Sequence, residues 1–344
     1  MAGRPTIKDL ARAAGVGTAT VDRALNGRGT VREDTVRKIA EAAHRIGYHA
    51  AALIDQQIDA ALPEITFGFV LHKGKQQFYQ NFAKEIEAAI AARTDIRGRA
   101  IIRFSASQTP EDFLKEIRKI APKIDVLGSS AVNHQNITQE VRQLKEAGTP
   151  TFALLNDFAQ GIREAYLGLN NMQVGRMAGW MVTTAAKAPG KLAVFVGGNR
   201  WHGHELRETG FRSYVRDSAP GFTVLDSLVN LETRQLTYES TLDLLDRHND
   251  LRGLYVAGGG MEGAIAALRE VSQPNQVALV VNELTIDSRA ALTDGFVTMV
   301  ISTPLQELCT DMIDKMVNVV KHGSSETPGQ SFIQPQVYLP ESFG

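Results

Sequence analysis

Within the first fifty positions, apolar residues recur at helical spacing in three short runs. Ile7, Leu10, Ala11 and Ala14 share one face, Val21, Ala24 and Leu25 a second, and Val36, Ile39, Ala40, Ala43 and Ile46 a third. Thr6 is placed to cap the first helix by accepting from the backbone N–H near Asp9, an acid that also suits the helix dipole. Gly15 ends that helix and Val16 plugs the turn. A second helix is expected from about Thr18 to Asn26 and a third from about Arg32 to Ile46, stopping at Gly47. Two helices joined by so tight a turn predict a helix-turn-helix, whose second helix lies in the DNA major groove.

From Ile65 the period changes. Short apolar runs (ITFGFVLH, AIIRFS, IDVLGSS, TFALLN) alternate with amphipathic stretches such as FYQNFAKEIEAAIAA and EDFLKEIRKIA. After a break near Asp157 to Tyr166 the rhythm resumes with AYLGL, KLAVFVGG, FTVLDSLV, LRGLYVAGG, VALVVNEL and VTMVIST. A β-then-α rhythm requires parallel sheet covered on both faces, and two such halves predict two α/β lobes with a cleft between them. Ligands of open α/β sheets bind beyond the carboxyl ends of the strands. The pocket candidates are therefore His72, Phe78, Tyr79, Asn156, Asp157, Asn199, Trp201, His202, Gly258 to Gly260, Asn282, Glu283 and Ser302.

Charge sharpens this division. Residues 1–50 hold nine Lys/Arg against five Asp/Glu, whereas the remaining 294 of the 344 residues hold 28 against 33. A basic head on an acidic body fits phosphate neutralisation by the head, a contribution that is salt-dependent and blind to sequence. Cys309 is the only cysteine, so no intrachain disulfide can form and a reducing compartment is expected. No apolar run is long enough to span a membrane, and the start MAGRPTIKDL carries no apolar signal region; a cytoplasmic protein is the expectation.

The run TIKDLARAAGVGTATVDRALN resembles the headpiece of the lactose-repressor (LacI/GalR) family, whose typical pattern is T-I-x-D-V-A-x-x-A-G-V-S-x-x-T-V-S-R-x-L-N. Thr6, Ile7, Asp9, Ala11, Ala14, Gly15, Val16, Thr20, Val21, Arg23, Leu25 and Asn26 match it. The resemblance implies that Thr18 and Ala19 meet base edges and that Arg23 makes a bidentate contact with guanine, with Thr6, Thr20, Asn26 and Leu53 also on the DNA side. Gly17 departs from the family's N-capping Ser. Asp22 departs from its phosphate-facing Ser and would repel the DNA backbone unless paired. In the following segment HAAALIDQQIDAALP, Gln57 stands where the family wedges a Leu into the minor groove, leaving Leu53, Ile54 or Ile58 to take its place.

The body is similar to the same family's periplasmic-binding-protein-like core. That likeness implies a headpiece at 1–47, a hinge linker at 48–63 and an effector-binding core at 64–344. The core's N-lobe would span about 64–158 and 302–322, and its C-lobe about 159–301 and 323–344. Arg207 in RETGF matches R-x-x-G-[FW], whose Arg usually contacts the effector; a planar Arg, amides, carboxylates and aromatic faces suit a sugar or polyol. The family implies a homodimer on a palindromic operator, acting as a repressor, with no cofactor, no metal and no catalysis. Where the family has Asn-Asp, this chain has Gly258 and Gly259. With Gly260 and Gly263 these form a GxGxxG after a strand, followed about twenty residues on by Glu283, which opens a rival reading as an NAD(P)-dependent enzyme. A free ligand-binding protein with an incidental basic head is a further alternative. The stretch WHGHE lacks HExxH spacing and reads as a pocket loop.

Overall fold

The computed structural model describes residues 4–26, 31–198, 200–324 and 329–343. The chain divides into two compact units, residues 1–65 with 92–99 and residues 66–91 with 100–344.

The first unit opens with α1 (Ile7–Ala14), α2 (Thr18–Asn26), α3 (Glu33–Ile46) and α4 (Ala51–Ala61). Thr6 and Asp9 form a reciprocal capping box, and Gly15 closes α1 with φ 70°. Gly47 closes α3 at φ 66°, and the Tyr48 N–H then donates back to the Ala43 carbonyl at 2.8 Å, which turns the Tyr48 ring onto the bundle. Leu10, Val21, Ile39, Ala43, Tyr48 and Ile54 meet in one core. The expected linker segment thus contributes to the head: Ile54 is fully buried among the residues of α1 to α3. A 2.8 Å contact from His44 Nε2 to Asp55 ties α4 to α3, and Arg45 donates to the Ala13 carbonyl at the end of α1 at 2.7 Å.

The strands fall into two sheets. The first holds β1 (Glu64–Leu71), β2 (Arg97–Phe104), β3 (Val126–Ser129), β4 (Thr151–Leu154) and β5 (Ala165–Leu169); the second holds β6 (Lys191–Val196), β7 (Thr223–Val224), β8 (Leu228–Val229), β9 (Leu251–Val256), β10 (Ala278–Asn282) and β11 (Met299–Ser302). Of the two last strands, β12 (Gly329–Ile333) joins the first sheet and β13 (Gln336–Tyr338) the second. Spatial order is β12-β5-β4-β3-β1-β2 in one sheet and β13-β11-β10-β9-β6-β7 in the other, with β8 also on β6.

Pairing in the second sheet is parallel except for β13 on β11. Strands β3, β4 and β10 are buried throughout, as their unbroken apolar runs require. Two placements differ from the sequence expectation. The AYLGL strand pairs with β4, so the first sheet continues to Leu169 instead of stopping near 158, and the final residues are shared between the sheets by β12 and β13. Hydrophobic rhythm tells which segments are strands but carries no signal for which sheet a strand joins.

Candidate functional site

On the head, α2 buries Val21 and Ala24 and exposes Thr18, Ala19, Asp22, Arg23 and Asn26, with Thr20 half-buried. Helical spacing therefore puts the predicted base-reading residues on one outward face. Arg23 Nε donates to the Ala19 carbonyl at 3.1 Å, which lays the side chain along the helix. Asn26 donates its amide to the Asp22 carboxylate at 2.9 Å and to the Asp22 carbonyl at 3.0 Å, so Asp22 is paired, but by a neutral group that leaves its charge in place. The Thr6 hydroxyl is spent on the cap, donating to Asp9 at 2.6 Å; that hydrogen bond holds the Asp9 carboxyl below its ordinary range. On α4, Leu53 is 54% exposed, whereas Ile54 is buried and cannot act as a wedge from this arrangement. The side chains of Gln57 and Ile58 lie outside what is described.

In the second unit a cavity of about 370 Å³ opens at the carboxyl ends of the strands of both sheets. Phe78 and Tyr79 enter from the helix after β1, Asn156 follows β4, and Trp201 and His204 follow β6. Glu232 follows β8, Gly258 and Gly259 follow β9, Asn282 ends β10 with Glu283 next to it, and Thr303 follows β11.

Arg207 reaches this cavity because two helices touch at backbone distance. The helices Asn171–Ala185 and His202–Ser218 meet at Gly175 and Gly210, where an added Cβ would collide with the carbonyl oxygens of Arg207 and Met172. This is the physical content of the R-x-x-G motif. Arg207 then donates through Nε to Asn171 at 2.7 Å and through Nη1 to the Ala257 carbonyl at 2.8 Å, which fixes the plane of its guanidinium.

Glu283 sits at φ 69°, a left-handed conformation that a non-glycine residue holds only when its surroundings over-determine it, at a cost of about 1–3 kcal/mol. Its carboxylate accepts from the Thr303 backbone N–H at 2.9 Å, the Thr303 hydroxyl at 2.7 Å and the Ser302 hydroxyl at 3.1 Å. Burial raises its pKa, against the pull of those donors and of Arg207. Beside it, Asn282 is 4% exposed and spends its amide on the Val256 carbonyl and the Tyr255 hydroxyl, while its Oδ1 has no protein partner. A buried acceptor without a donor is costly.

The cluster around Glu232 draws on both lobes. Its carboxylate meets Lys73 Nζ at 3.1 Å and accepts from Gln108 Nε2 at 3.3 Å and from the Gly259 N–H at 3.2 Å. His72 Nε2 and His204 Nε2 stand 3.6 and 3.7 Å away, within electrostatic reach but longer than hydrogen bonds. Burial alone would raise the Glu232 pKa; the histidines and Lys73 together outweigh it and hold the group well below the usual carboxylate range. Burial pushes His204 down to about 4 and lowers His72 as well, so both rings are neutral near pH 7. The Gly197 N–H donates to His204 Nδ1 at 3.1 Å, which assigns the ring proton to the Nε2 facing Glu232. Leu231 and Glu232 are consecutive left-handed residues at φ 49° and 53°. Buried Asn230 holds that turn, accepting from the Glu232 N–H at 2.8 Å and donating to Thr237 and the Gly259 carbonyl.

Of the residues predicted for this pocket, Phe78, Tyr79, Asn156, Trp201, Arg207, Gly258, Gly259, Asn282 and Glu283 line the cavity. Asn156 is a cross-link: it donates to the Ala131 carbonyl and accepts from the Gly203 N–H. Five others, His72, Asp157, His202, Gly260 and Ser302, do not line it. Asp157 turns the opposite way from Asn156 into a buried two-point pair with Arg163 at 2.5 and 2.7 Å. His72 lies behind Glu232 at 1% exposure, and Ser302 supports Glu283 from the adjoining surface. Asn199 lies outside the described residues. Sequence reasoning passes over Glu232 as a pocket residue, although it closely follows the apolar run ending in SLV; the run itself breaks into the short strands β7 and β8. The GxGxxG glycines have structural employment. Gly258 packs on His204, Gly260 takes φ 92°, Gly263 admits the helix Arg234–Arg247, and the Gly259 N–H is given to Glu232, where a pyrophosphate would need it.

Residues 6–50 match the description "Bacterial regulatory proteins, lacI family", and residues 67–324 match "Periplasmic binding protein domain". The chain belongs to the LacI family of bacterial regulatory proteins. This LacI-family chain is 37% identical over 86 residues to the HTH-type transcriptional regulator RegA of Clostridium saccharobutylicum, covering 24% of each chain. It is 30% identical over 150 residues to catabolite control protein A of Streptococcus mutans, covering 42% of this chain and 41% of that one. The matched parts span less than half the length of these curated relatives. Among solved structures it is similar to an ABC-transporter solute-binding protein from Agrobacterium vitis bound with α-D-tagatopyranose. The TM-score is 0.73 at 19% identity, covering 80% of this chain and 95% of that one, a likeness of fold. Among the described residues no helix is long and apolar enough to cross a membrane.

Proposed function

We propose that this protein is a transcriptional regulator, a repressor, whose head binds operator DNA and whose cleft binds a small sugar or polyol that controls the head. The observation that carries the reading is the pairing, in one chain, of a lacI-family head with a cleft that combines Arg207, the amide residues Asn156 and Asn282 and aromatic faces at Phe78, Tyr79 and Trp201. Hydroxyl-rich ligands use such a wall: planar polar groups take the hydroxyls, and aromatic rings cover the C–H faces. The tagatopyranose bound to the Agrobacterium vitis relative supports that ligand class.

On DNA, Thr18 and Ala19 are suited to thymine methyls and Arg23 to guanine O6 and N7, with a homodimer placing two heads on a palindromic site. The effector acts by differential affinity for the arrangements that do and do not fit the operator. The test is thermal denaturation of the purified protein against sugars, polyols, sugar phosphates, nucleosides and NAD(P). A ligand that binds only the folded state raises the midpoint by mass action. Stabilisation by one sugar or polyol, lost in Arg207→Ala, is expected; stabilisation by NAD(P) alone would overturn the reading in favour of the dinucleotide alternative.

A further inference from the structure

The geometry points to Glu232 as the residue that sets ligand charge: its carboxylate plugs a ready-made anion site in the cleft, so that the pocket accepts uncharged polyhydroxyl molecules and turns away their acidic counterparts. This rests on the ligand-sensing reading above and narrows its effector class.

Lys73, Gln108, the Gly259 N–H and the Nε2 edges of two histidines converge on one carboxylate, the donor set that would recognise a ligand carboxylate or phosphate. Lys73, Gln108 and His72 meet Glu232 and do not themselves line the cavity, whereas Glu232 does. Glu232 fits there because its neighbours have no side chains: a Cβ on Gly258 would strike the His204 ring, and one on Gly197 or Gly259 would press on Glu232 itself. The space beside Gly258 is taken by the His204 ring and that beside Gly259 by Glu232, which comes from the turn after β8 and is held in its strained conformation by Asn230.

Charge balance then acts against anions. Among the described lining residues two cations, Lys75 and Arg207, face four carboxylates, Glu232, Glu262, Glu283 and Asp287. Arg207, the cation fixed in the wall, is within electrostatic reach of Glu283 and already bonded to Asn171 and Ala257. An acidic ligand would enter a site with carboxylates in excess and its natural donors taken, whereas a neutral hydroxyl brings no charge penalty.

The experiment measures calorimetric binding of neutral sugars and their acids in pairs (glucose and glucuronate, galactose and galacturonate, arabinose and arabinonate). The proteins are the full-length wild type, Glu232→Ala, Glu232→Gln and the double variant Glu232→Ala with Lys73→Met. Acetate alone serves as a bare carboxylate probe. We expect wild type to take a neutral sugar at least roughly 100-fold more tightly than its acid, and both single variants to narrow that ratio at least tenfold. Acetate should bind Glu232→Ala saturably and bind neither wild type nor the double variant.

Wild type binding an acid as tightly as its neutral partner overturns the inference and leaves the sensor reading standing. Failure of Glu232→Ala to take acetate while folded overturns the plug; if that variant does not fold, an unchanged acid discrimination in the near-isosteric Glu232→Gln does so. No sugar binding to wild type overturns the effector class and this inference with it.

Discussion

The head and the cleft hold their working side chains by opposite means. On the head, Arg23, Asn26 and Thr6 bond to residues three or four positions away, and the face they form follows from helical spacing. In the cleft, Arg207 bonds to Ala257, Glu232 to Lys73 and Gln108, and Glu283 to Thr303. Local bonds leave the head's side chains outward and available to a large flat partner. Remote bonds pre-set the cleft's side chains for a small one, at the cost of left-handed turns at Glu232 and Glu283. Each region should therefore fail separately when its own supports are removed.

The largest separate failure is expected from Leu10→Ala, which empties the centre of the head's core and should destabilise the head by about 2–5 kcal/mol. Chemical denaturation followed on the head, with calorimetric ligand affinity unchanged, checks this. Arg207→Ala removes the cation fixed in the cleft and strands the acceptors at Asn171 and Ala257. Effector affinity should fall roughly 100-fold by titration calorimetry while DNA affinity is kept.

Acid separates the regions without mutation. The unfolded chain protonates His204 near 6.5, and the folded chain only near 4. Stability should thus fall as pH drops across that window, by up to about 3 kcal/mol, and then level. Glu232, depressed on folding, stabilises fully above its ordinary pKa of 4.5 and loses that contribution as pH falls further. Midpoints of denaturation from pH 7 to 4 should flatten in His204→Gln. For Arg23→Ala, anisotropy on a duplex selected from a random library should show a loss of about 1–3 kcal/mol per head at unchanged melting temperature. Smallest is Gly17→Ser, where the added Cβ meets only the Thr20 hydroxyl at 3.9 Å; a restored N-cap should add a few tenths of a kcal/mol.

The same contrast explains what could be read from the sequence. Thr6, Asp9, Gly15 and Gly47 gave up the head's boundaries because caps are local chemistry. Arg207 was legible through its glycine three residues on, a packing requirement written next to the side chain it positions. Asn156 and Asp157 are adjacent and chemically alike, yet one faces the cavity and the other a buried Arg163, a difference set by the turn at Leu155 with φ 64°. Glu232 was hidden because Lys73, Gln108 and His72 lie more than a hundred residues away and the strand before it is two residues long. The likeness between Gly258-Gly259-Gly260 and a dinucleotide loop arises because both need room beside a helix start, here filled by a carboxylate of the chain itself.

The central claim is that occupancy of the cleft changes what the head does. It is tested most directly by titrating the stabilising sugar into wild type bound to its selected duplex and following anisotropy, with Arg207→Ala alongside. The account predicts a change in duplex affinity of at least about fivefold for wild type and none for the variant. A sugar that saturates the wild-type cleft and leaves duplex affinity unchanged would contradict it.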